Sequence, residues 1–102
     1  MAITIGNYVF NGPYSSTSSL EDRSGVYVIL DKRSDGYYVI DIGESSKVKT
    51  RVENHERTDC WKRNKKGTLY FAVHYTPNKQ QEGRKEIEQE LRQQYNPPCG
   101  DL

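Results

Sequence analysis

The sequence predicts an α/β (α+β) domain: a small three-stranded antiparallel sheet flanked by helices, in the order ββαβα. Three observations carry this. Two β-branched and aromatic runs, GVYVILD at 25–31 and YYVIDIG at 37–43, are separated only by the polar KRSDG at 32–36. A third run, LYFAVHY at 69–75, alternates in the same way. Helical spacing of apolar residues follows the second run and again follows the third.

Taken in order, ITIGNYVF at 3–10 offers one short strand, and GPYSSTSS at 12–19 has turn chemistry and little to bury. Residues 1–24 therefore read as an N-terminal extension to a domain spanning 25–102. In the hairpin that follows, alternation puts Val26, Val28 and Leu30 on one face and Tyr38, Ile40 and Ile42 on one face of the partner. If those faces coincide across a turn at 32–36, Val28 opposes Ile40. That register sets Gly25 opposite Gly43 and brings Tyr27 opposite Asp41, with Cβ atoms roughly 5 Å apart.

Gly43 and the N-cap candidates Ser45 and Ser46 open a helix running to about Arg57 or Cys60. On it Val48, Arg51, Val52 and His55 share an arc of about 100°. WKRNKKG at 61–67 reads as a basic loop. In the third strand Leu69, Phe71, Val73 and Tyr75 line one face. The run EGRKEIEQELRQQY puts Ile87, Leu91 and Tyr95 on one stripe with Arg84 and Glu88 beside it, until Pro97 and Pro98 stop the helix.

At 102 residues one core is expected. Lys and Arg total 15 against 14 Asp and Glu, so whole-chain charge is silent about a polyanionic partner. Cys60 and Cys99 form no CxxC, and with His55 and His74 they complete no tetrahedral metal set; both are read as free thiols. The N-terminus lacks a basic segment followed by a long apolar run, and no stretch is apolar enough for a membrane, so the expectation is a cytoplasmic protein without a membrane partner.

Tyr27, Asp41, Arg51 with His55, and Glu88 stand on four separate elements and together supply what phosphodiester cutting requires. That chemistry needs a base for water, positive charge on the phosphorane, and a carboxylate to hold a divalent ion. Alone, each has a plainer reading, as a packed tyrosine, a solvated helix flank or a surface ion pair. Asp41 differs, because burying a carboxylate unpaired late in an apolar strand is expensive, so it reads as functional or partnered. Lys47, Lys49, Lys62, Arg63, Lys65 and Lys66 form two short basic clusters suited to nucleic acid, the second beside Trp61, which could stack on a base. His74 reads as structural.

Gly25-Val26-Tyr27, Asp41-Ile42-Gly43 after a hairpin, Arg51 on a helix, and Glu88 with Pro97 nine residues on together resemble the GIY-YIG nuclease superfamily, over residues 25–100. The resemblance implies a metal-dependent endonuclease that acts on nucleic acid, DNA above all, with Mg²⁺ or Mn²⁺ as cofactor. It gives Tyr27 the part of general base or its orienter, Arg51 that of phosphate stabiliser and Glu88 that of metal ligand. His55 matches a histidine that some restriction-type members carry one helical turn after the arginine.

Two positions depart from the family pattern: Asp41 stands where the second motif usually has tyrosine, and Gly100 where asparagine often follows the terminal proline. Asp41 is anionic and acceptor-only at neutral pH. It either orients the Tyr27 hydroxyl, helps hold the metal, or repels the scissile phosphate. The last case leaves a catalytically degenerate domain that binds nucleic acid or a protein partner without cutting.

Overall fold

The first twenty-four residues do more than extend the domain. In the computed structural model, which describes residues 1–100, Gly6 adopts φ 60° and turns ITIGNYVF back on itself, as the first position of a two-residue hairpin turn requires. Two strands result, β1 (Ala2–Ile5) and β2 (Tyr8–Tyr14), in place of one. Ile5 and Phe10 point from them into the core. The remaining elements are β3 (Gly25–Arg33), β4 (Gly36–Ser45), α1 (Val48–Glu53), α2 (Thr58–Asn64), β5 (Thr68–Tyr75) and α3 (Gln81–Tyr95).

These make a mixed α+β fold with one antiparallel five-stranded sheet ordered β1-β2-β5-β3-β4. The expected three-stranded sheet and ββαβα order are corrected accordingly. The N-terminal hairpin adds two strands, and the first helix is broken in two.

The β3–β4 register also differs from expectation. The turn is Ser34–Asp35, with Arg33 opposite Gly36, so Tyr27 faces Gly43, Val28 faces Ile42 and Ile29 faces Asp41. Two local features favour the short turn: Gly36 takes φ 142°, and the Tyr38 hydroxyl donates to Asp35 Oδ2 at 2.6 Å. Asp31 also holds strand geometry to the end of β3. Its buried carboxylate accepts from Arg33 Nε at 2.8 Å and from the backbone N–H groups of Lys66 and Gly67 at 2.8 and 2.9 Å.

A β-bulge between Ile29 and Leu30 then shifts the pairing by one residue. Ile40 and Ile42, expected on one face, lie in different clusters as a result. Val26, Val28, Leu30 and Ile42 pack with Ile87 and Leu91 of α3. Tyr27, Ile29, Ile40 and Val73 pack with Val48 and Val52 of α1 and Trp61 of α2. β3 is thus covered on both faces, which is why its sequence is apolar without a break. Leu69, Phe71, Val73 and Tyr75 share the second of these faces, as their spacing predicts.

The helix expected from Ser45 or Ser46 to about Cys60 starts later and is interrupted. Strand β4 continues through Ser45, whose hydroxyl accepts from the Lys47 N–H at 2.9 Å. The start of α1 is instead capped from a distance by Asp22, which accepts the Thr50 N–H at 3.0 Å and the Thr50 hydroxyl at 2.8 Å. The chain leaves helical geometry at Asn54 and re-enters it at Thr58.

Residues 61–64, expected in a loop, are therefore helical, and Trp61 is turned inward at 2% exposure. α3 matches its predicted stripe at Ile87 and Leu91, whereas Tyr95 is partly exposed with its hydroxyl accepting the Gly6 N–H at 2.8 Å. Asn96, at φ 48°, closes α3 ahead of Pro97 and Pro98.

Cys60 and Cys99 are joined in a disulfide, not free. Thirty-nine positions separate them, so no local spacing announces the pair. The fold brings α2 against the segment after α3, where the Cys99 N–H also donates to the Ile40 carbonyl at 3.1 Å. Among the described residues no helix is long and apolar enough to cross a membrane.

Candidate active site

Tyr27 points from the centre of β3 toward Gly43 of β4. A Cβ at position 43 would lie 2.2 Å from the Tyr27 hydroxyl oxygen, so only glycine lets the ring pass. The hydroxyl is 2.7 Å from His55 Nε2. His55 Nδ1 accepts the Arg57 backbone N–H at 3.1 Å, and this assigns the proton to Nε2. Nε2–H then donates to the tyrosine oxygen, and the Tyr27 proton is free for another acceptor.

The break between α1 and α2 creates this arrangement. Freed from helical hydrogen bonding, residues 54–57 let the imidazole fold over its own backbone toward β3. The Thr58 hydroxyl fixes the turn by donating to the His55 carbonyl at 2.9 Å.

Burial acts on both groups in the same sense, toward neutrality. Desolvation raises the Tyr27 hydroxyl pKa well above the phenol range, with Arg51 and Arg57 pulling it down and Asp41 and Glu88 pushing it further up. His55 is lowered to about 4, first by burial and then by the positive charges of Arg51 and Arg57. At neutral pH both are uncharged.

Arg51, on α1, carries a two-pronged ion pair to Glu56, with N–O distances of 2.5 and 2.9 Å. Its pKa is raised by that bond. Arg57 anchors the other side through Nε to Asp41 Oδ2 at 2.8 Å.

Asp41 is a fully buried hub. Its two oxygens accept from Arg57, from Arg92 NH2 at 2.7 Å, from Trp61 Nε1 at 2.7 Å and from the Ile42 N–H at 2.8 Å. The expected juxtaposition with Tyr27 is therefore corrected. The register places Asp41 opposite Ile29, and its hydrogen bonds tie α2 and α3 to β4. A buried anion shared by two arginines satisfies the partnering that its position in an apolar strand demands.

Glu88, on α3, is half-buried beside Arg92, whose Nε is 3.7 Å from Glu88 Oε2, longer than a hydrogen bond. Burial raises its carboxyl pKa, Glu44 raises it further, and Arg92 and Arg57 oppose both. Among the described residues no group of three or more His, Cys, Asp or Glu could enclose a metal ion. Mg²⁺ needs no such cage, since it binds through one or two carboxylates together with water and substrate phosphate oxygens. Glu88, without a short ion pair, suits that mode.

The structure thus gathers Tyr27, His55 and Arg51, while Glu88 reaches Tyr27 only through its field and has Arg92 as its nearest charged partner. Trp61 does not serve as a stacking platform. It is buried against Asp41, with its ring centroid 4.8 Å from that of His55. Lys47, Lys62, Arg63, Lys65 and Lys66 are exposed and Lys49 is partly so, in two groups at the start of α1 and the end of α2. His74 Nδ1–H donates to the Val9 carbonyl at 2.8 Å, beside Tyr8 and Phe10.

Three residues of the site escaped sequence reasoning: Glu56, Arg57 and Arg92. Arg92 had a signal, standing four residues after Glu88 on a helix. Glu56 and Arg57 had none, because their positions depend on the helix break. Compared with protein-family models, with curated proteins and with solved structures, the chain matches none.

Proposed function

We propose that this chain is a divalent-metal-dependent endonuclease of GIY-YIG type that hydrolyses phosphodiester bonds in nucleic acid, DNA being the expected substrate. The observation that carries the reading is the 2.7 Å contact between Tyr27 and His55, flanked by Arg51 and drawn from separate elements. In a merely packed tyrosine the hydroxyl would need one partner and no cation beside it.

In this reading the buried Tyr27 remains a neutral hydroxyl. His55 holds its oxygen, and its free proton orients the attacking water, which makes Tyr27 an orienter more than a phenolate base. As the water oxygen bonds to phosphorus it passes a proton to a non-bridging phosphate oxygen, and as the bond to the leaving oxygen breaks that oxygen takes up a proton from solvent, while Arg51 neutralises the charge on the non-bridging oxygens. Glu88 would hold Mg²⁺ or Mn²⁺, which when bound supplies Lewis-acid polarisation of the phosphate. Asp41 positions Arg57 and Arg92. The exposed lysines at the start of α1 and the end of α2 supply sequence-independent backbone contacts.

Plasmid nicking by purified protein in Mg²⁺, Mn²⁺ or EDTA tests this. Metal-dependent nicking lost in Glu88→Ala is expected; nicking that persists in EDTA or in that variant overturns the site.

The second reading is a degenerate domain that binds nucleic acid or a protein partner without cutting. It is favoured by the 2% exposure of Tyr27 and by the engagement of Arg51 with Glu56. Salt-sensitive DNA or RNA binding with no cleavage in any metal selects it. A cytoplasmic location sits less easily with the Cys60–Cys99 disulfide, since such bonds persist mainly in oxidising compartments and in hyperthermophiles.

A further inference from the structure

The turn that releases His55 also places Glu56 across two cations. Its oxygens meet Arg51 NH1 at 2.5 Å and NH2 at 2.9 Å, and Oε1 lies 3.9 Å from Arg57 NH1. Oε2 is also 3.9 Å from His55 Nδ1. Arg57 is fixed from behind, Nε and NH2 to Asp41 at 2.8 and 3.3 Å, so that NH1 alone of its guanidinium is left to reach Glu56. Glu56 itself is 61% exposed on a non-helical turn, over a tyrosine and a histidine that are buried.

A carboxylate chelated by an arginine fork presents two coplanar oxygens, which is how two non-bridging oxygens of a phosphate present themselves to the same fork. We infer that Arg51 and Arg57 form a seat for one backbone phosphate and that the Glu56 carboxylate is a placeholder displaced into solvent when that phosphate arrives. This rests on the nucleic-acid reading above, and adds to it a second cation, Arg57, and an internal competitor. Displacement is feasible because an exposed ion pair holds weakly, whereas a phosphodiester also releases counterions from the nucleic acid.

The test compares the wild type with Glu56→Gln, a change at an exposed position, and with Glu56→Gln/Arg57→Lys, which keeps the charge opposite Asp41 but removes the fork. Two probes are used without divalent metal: a fluorescent DNA duplex over a salt series, and inorganic phosphate followed by NMR of the His55 ring and the arginine Nε–H groups. Glu56→Gln is expected to bind the duplex about threefold to fivefold more tightly. Its salt slope should steepen by up to about 0.9, and its signals should move at lower phosphate concentration. The double variant should lose that gain.

Duplex binding unchanged or weakened in Glu56→Gln overturns the seat while leaving the nucleic-acid reading in place. Tighter phosphate binding without duplex binding in any variant keeps the seat and removes that reading. A double variant that retains the full gain removes Arg57 from the seat.

Discussion

The hydroxyl of Tyr27 and Nε2 of His55 are 2.7 Å apart inside the protein, and the tautomer set by the Arg57 N–H makes histidine the donor. Tyr27→Phe deletes the acceptor while keeping the ring under Gly43. Nicking should fall about 100-fold or more, the range of a positioned proton-handling group. Unfolding free energy should drop by about 1 kcal/mol. Parallel nicking assays and urea titrations separate the two effects, and comparable losses in both would point to a structural tyrosine only.

His55 makes stability depend on pH in a defined direction. Its folded pKa is about 4, against 6.5 for the unfolded chain, so between those values the unfolded state holds more protons. Stability is then complete above about pH 6.5 and is lost as pH falls toward 4, by on the order of 2 kcal/mol. Glu56, lowered to about 2 chiefly by its hydrogen bond from Arg51, adds a loss of the same sign below its ordinary value of 4.5. Urea midpoints of wild type and His55→Gln across pH 4–8 check this, the variant being expected to lose the slope above pH 4.5.

Asp41→Asn removes the charge that two arginines share without removing the shape. The cost expected is about 3–5 kcal/mol, because Arg57 and Arg92 lose the anion to which both are hydrogen-bonded. A domain of this size has about 5–15 kcal/mol in total. Thermal unfolding should show the variant barely folded at 37 °C, and a loss below about 1 kcal/mol would mean that the hub is dispensable.

Glu88→Gln should behave in the opposite way. Burial raises the Glu88 carboxyl pKa, so the folded state is easier to protonate than the unfolded state, and the ionised form is destabilising at neutral pH. The neutral isostere should leave stability unchanged within about 0.5 kcal/mol or raise it, while metal-dependent nicking disappears. Calorimetry beside a nicking assay measures both.

Reduction of Cys60–Cys99 opens a loop with a sequence separation of 39. Loop-closure entropy puts the expected loss near 4 kcal/mol. Non-reducing mass spectrometry establishes the bond, and melting curves with and without a phosphine reductant measure its contribution.

The main strands were legible because their apolar and aromatic runs are long, and α3 because its stripe and its prolines agree. Register was not. The spacing of Val26, Val28 and Leu30 against Ile40 and Ile42 supports a plain hairpin, and nothing local discloses a bulge that sends Ile40 and Ile42 to opposite faces. Tyr27, Arg51, His55 and Glu88 were visible by type and order. Glu56 and Arg57 were hidden because a continuous helix through Asn54 is compatible with the sequence, and the contacts that reward its break, His55 with Tyr27 and Arg57 with Asp41, are tertiary. Trp61 was misplaced for the same reason.

The N-terminal hairpin decides which strand stands at one of the two edges of the sheet. Without β1 and β2, the eight-residue β5, rich in β-branched and aromatic side chains, would be a bare sheet edge able to template another chain. With them, that margin passes to the four-residue β1, too short to recruit much. Residues 1–14 thus shield the β5 side of the sheet, independent of any chemistry at Tyr27, and leave β4 as its long margin.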